Sequence, residues 1–144
     1  KKKWFYKDMQ RAILLGSVLW MGITTHLKNE DEYSRYSKIA LNFRRQLQSL
    51  VKEAVFLDNK YIAEITDGCD ATAWELSDGS IMVLCGNKDC INNASLTLEL
   101  DKNPSKLQCF NTKWELQEMT SFNRRVIFDL SKERLWCFII DFLK

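Results

Sequence analysis

The densest group of candidate ligands is Glu64, Asp67 and Asp70, three carboxylates set around Gly68. Oxygen donors this close in sequence could hold calcium. Their spacing does not follow the D-x-D/N-x-D/N-G loop that wraps such ligands around an ion, so an exposed turn is the expectation. Glycoside hydrolysis needs two carboxylates held across the scissile bond, and no such pair stands out. His26, the single histidine, follows Thr24-Thr25. A nucleophile needs an activating base beside it, and none is visible. His26 therefore reads as a capping or packing residue and is kept as a candidate ligand contact. Trp74, Trp114 and Trp136 carry faces that could stack on a sugar, with Tyr61 and Phe110 behind them. Each sits at a strand-like position where core packing is the ordinary explanation. No catalytic residue, metal site or cofactor is expected.

The five cysteines, Cys69, Cys85, Cys90, Cys109 and Cys137, cannot all pair within one chain. Cys85, Cys109 and Cys137 lie in apolar runs, where a free thiol acts as a small hydrophobe. Reduced thiols are the expectation, and they fit the cytoplasm. Cys85 and Cys90 have loop-like spacing, yet no second close Cys or His pair completes a tetrahedral zinc set. Asn93-Ala94-Ser95 matches the glycosylation acceptor pattern, which matters only in a eukaryotic secreted protein.

Of 144 residues, 46% are hydrophobic and 28% charged, a globular balance. The net charge of +2 is too small to argue for nucleic acid or an anionic membrane as partner. Lys1-Lys2-Lys3 reads as a solvated end. The apolar run from Ala12 to Ile23 is shorter than the about 20 residues a spanning helix needs. It is interrupted by Gly16, Ser17 and Gly22, and a helix buried against other protein explains it better.

The elements that must position these residues change character near Asp58-Asn59. Before that point apolar residues recur at helical spacing; after it, short runs alternate and are cut by turn residues. A first helix is expected over Trp4 to Thr25, apolar nearly all round after Ala12. A second is expected from about Asp31 to Phe56, with Tyr36, Ile39, Ala40, Phe43, Leu47, Leu50, Val51, Ala54 and Val55 on one face. Eight strands follow: 61–65, 71–76, 81–85, 95–100, 107–110, 113–117, 125–130 and 135–142. Asp78-Gly79 marks a tight hairpin. Asp129 and Asp141 fall on strands, with Arg124, Arg125 and Arg134 as candidate ion-pair partners. The fold class is α+β: two N-terminal helices, then an antiparallel β-sandwich of about eight strands. Residues 1–58 form a helical segment and residues 59–144 a C-terminal sandwich domain, ending in what reads as a natural C-terminus.

Gln10-Arg11-Ala12-Ile13-Leu14-Leu15-Gly16-Ser17, then a charged helix, then Ala73-Trp74-Glu75-Leu76-Ser77-Asp78-Gly79-Ser80 and Leu84-Cys85-Gly86-Asn87, form a recognisable order. It resembles the C-terminal end of glycoside hydrolases built on a (β/α)8 barrel, where the last barrel helices lead into a β-sandwich. The barrel strands that carry the catalytic carboxylates in such enzymes are not in this sequence. The resemblance implies a non-catalytic C-terminal region of a carbohydrate-active enzyme that braces the catalytic barrel. The alternative is a free-standing binding module that self-associates through its first helix. The partners expected are thus an upstream catalytic domain or a second copy, with carbohydrate as candidate ligand, no nucleic acid and no membrane span.

Overall fold

The computed structural model describes residues 2–16, 32–119 and 123–143. Helix α1 spans Lys2–Leu14 and helix α2 spans Glu32–Val51. Nine strands follow: β1 (Val55–Asp58), β2 (Ile62–Ile65), β3 (Asp70–Glu75), β4 (Ile81–Gly86), β5 (Ser95–Glu99), β6 (Lys106–Phe110), β7 (Leu116–Met119), β8 (Arg125–Asp129) and β9 (Leu135–Asp141). They form a six-stranded sheet in the order β1-β3-β4-β9-β6-β7 and a three-stranded sheet in the order β2-β5-β8. Every pairing is antiparallel. The α+β class and the antiparallel sandwich agree with the alternation along the chain.

Three elements differ from the expectation. Helix α1 ends at Leu14, because Gly16 takes a φ of +69°, a conformation that suits glycine and closes helices. Residues 17–25 of the expected first helix lie outside the described residues. Helix α2 stops at Val51, and Val55–Asp58 forms a ninth strand at the edge of the larger sheet. Val55, Phe56 and Leu57 have the branched and aromatic shapes that pack on a pleated surface, and pairing with β3 overrides the helical spacing. Trp114 belongs to a turn with a φ of +62° rather than to a strand, and β7 begins at Leu116.

The molecule has three layers, because the larger sheet is covered on both faces. Met82, Leu84, Leu135 and Cys137 face the helices and join Tyr6, Met9, Ile13, Tyr36, Ala40, Phe43 and Leu47 in one cluster. Ile81, Val83, Cys85, Trp136, Phe138 and Ile140 face the smaller sheet, against Leu96, Leu98, Val126 and Phe128. Alternate residues of one strand point to opposite faces, so β4 and the Leu135 to Ile140 stretch of β9 are apolar on both faces. Of the expected α2 stripe, Ala40, Phe43 and Leu47 have no exposed surface.

The helices run side by side in the same direction. At one end the Tyr6 hydroxyl donates to Glu32 at 2.6 Å, and the Phe5 and Tyr33 rings lie 4.9 Å apart. At the other end Arg44 donates to the Gly16 carbonyl at 3.0 Å. The Thr72 hydroxyl donates to the Leu14 carbonyl at 2.6 Å. That bond satisfies a backbone acceptor left open at the helix end and fixes α1 to β3. No helix among the described residues is long and apolar enough to cross a membrane.

Candidate functional site

The three tryptophans do not converge. Trp74 is buried between helices and sheet, its indole N–H donating to Thr72 Oγ1 at 3.2 Å. Trp136 is buried between the two sheets and donates to the Leu130 carbonyl at 3.3 Å. Trp114 is half-buried; it stacks on Phe110 at 4.3 Å and meets the edge of Phe43 at 5.2 Å. Trp74 and Trp136 thus occupy separate core layers, and Trp114 has one face covered. His26 lies outside the described residues.

The carboxylates near Gly68 are scattered among partners. Glu64 lies 3.7 Å from Arg125, which also pairs with Glu99 at 2.5 Å. Asp70 accepts from Gln10 Nε2 at 3.2 Å. No group of three or more metal-ligating side chains is found among the described residues. Among the described residues neither Asp129 nor Asp141 makes the expected ion pair with an arginine. The Ser131 side chain first, and then its backbone N–H, which donates to Asp129 Oδ1 at 2.9 Å, hold the Asp129 carboxyl below the usual range, and Asp141 accepts from Ser80 at 2.8 Å. All five cysteines are free thiols. Burial pushes Cys109 up to about 12 and raises Cys85 and Cys137 well beyond ordinary thiols.

Two sites concentrate polar side chains, at opposite ends of β4. At its C-terminal end, Arg134 reaches from the β8–β9 turn to the helices. Its guanidinium carbon sits 3.6 Å from the Tyr6 ring centroid and 5.7 Å from that of Tyr36, and it donates to the Lys88 carbonyl. Beside it, Gln10 is buried over Gly86, where a Cβ would fall 2.0 Å from the Gln10 side chain. Only glycine permits that approach. Burial and the hydrogen bond to Glu32 push Tyr6 up to about 12.

At the other end of β4, a cavity of about 380 Å³ opens between the β3–β4 hairpin, the loop after β5 and the end of β9. Asp78, Ser80, Lys102, Asp141 and Phe142 contribute to its lining. The hairpin is legible as Asp78-Gly79. The arrival of Asp141 is not, because it follows from the antiparallel pairing of Ile81 with Ile140, which brings the next residue of β9 beside Ser80.

No protein-family model matches the sequence. No curated protein matches it. Among solved structures, the fold is similar to a "putative alpha-galactosidase/melibiase" from Bacteroides fragilis NCTC 9343, with a TM-score of 0.56 and 15% identity. The likeness covers 98% of this chain and 29% of that one. At that identity the likeness establishes the fold: both helices and the sandwich have their counterpart within a much longer chain.

Proposed function

We propose that this chain is a non-catalytic C-terminal region of a carbohydrate-active enzyme, bracing a catalytic barrel. The observation that carries the reading is the fold likeness over 98% of this chain but 29% of a longer one named for glycoside hydrolysis. The parallel course of α1 and α2 supports it. Neighbouring helices of a (β/α)8 barrel run parallel because each follows a parallel strand. In this reading residues 1–58 end the larger domain and residues 59–144 are the sandwich. The first part lends β1 to the six-stranded sheet.

Trp4 is 68% exposed, Leu15 57% and Leu41 38%. Large apolar side chains in water forgo roughly 1.5–3 kcal/mol each when fully exposed, so this helical surface gains by meeting another protein body. The same exposure of Trp4 and Leu15 supports the alternative, in which copies associate through α1.

The test measures activity and association of the purified chain. The bracing reading expects no turnover of an aryl α-galactoside, together with binding of a hydrophobic dye. Turnover lost on changing one acidic residue would overturn it. A monomer by sedimentation that binds no dye would overturn both the bracing and the self-association readings.

A further inference from the structure

We draw no further inference here: the strongest candidate, the exposed apolar patch of Leu15 and Phe56 beside Trp74, where the end of helix α1 meets the edge strand β1, carries nothing because nothing in the structure shows what covers it.

Discussion

The guanidinium carbon of Arg134 lies 3.6 Å from the centroid of the Tyr6 ring. Arg134 belongs to the turn entering β9, and Tyr6 to the second turn of α1. One contact therefore joins the helical layer to the sandwich. The arginine also donates to the Lys88 carbonyl, so its position is set from both sides. A guanidinium is planar and weakly hydrated, which lets it lie flat on a ring at low desolvation cost.

Arg134→Ala is expected to destabilise the chain by about 1–2 kcal/mol, the scale of a desolvated cation–π contact. Arg134→Lys should recover only part of that loss, because an ammonium cannot stack and bond in the same plane. Denaturant unfolding of the three proteins measures both differences. Equal stability of all three would show that the contact contributes nothing.

Leu47 has no exposed surface and sits among Phe43, Leu84 and other residues of the helix-facing cluster. Leu47→Ala should cost about 2–5 kcal/mol from lost burial and the cavity left behind. A measured change below roughly 0.5 kcal/mol, the size of a surface substitution, would place that face of α2 in solvent.

Stability should fall on the alkaline side. Tyr6 is pushed up from 10.0 to about 12, and burial pushes Tyr36 further. Cys85 and Cys137 are raised from 9.0 by burial. Each group is neutral in the folded chain and gives up its proton more readily unfolded. Their contribution is complete below the unfolded values and is lost as pH climbs toward the folded ones. The melting temperature should therefore hold level up to about pH 8 and drop above about pH 9, where unfolded thiols begin to ionise. Tyr36→Phe should make the drop shallower. A midpoint unchanged through pH 11 would contradict this.

The sequence by itself determined that helix gives way to sheet and where seven of the nine strands run, with β7 displaced by the Trp114 turn. Hydrophobic period reports local geometry: Leu96 and Leu98 alternate with polar neighbours, while Tyr36, Ala40, Phe43 and Leu47 step by three and four. It also marked the Asp78-Gly79 turn, since a positive φ selects particular residues. Tertiary structure decided the rest. Val55–Asp58 became a strand because β3 offered it an open edge, a partner beyond any local window. Trp74 and Trp136 went to different core layers because the sheet has two covered faces. Asp141 reached Ser80, and Arg134 reached Tyr6, through pairings between residues 61 and 128 positions apart in sequence. Such contacts depend on strand register and layer order, which the packing of the whole core selects at once.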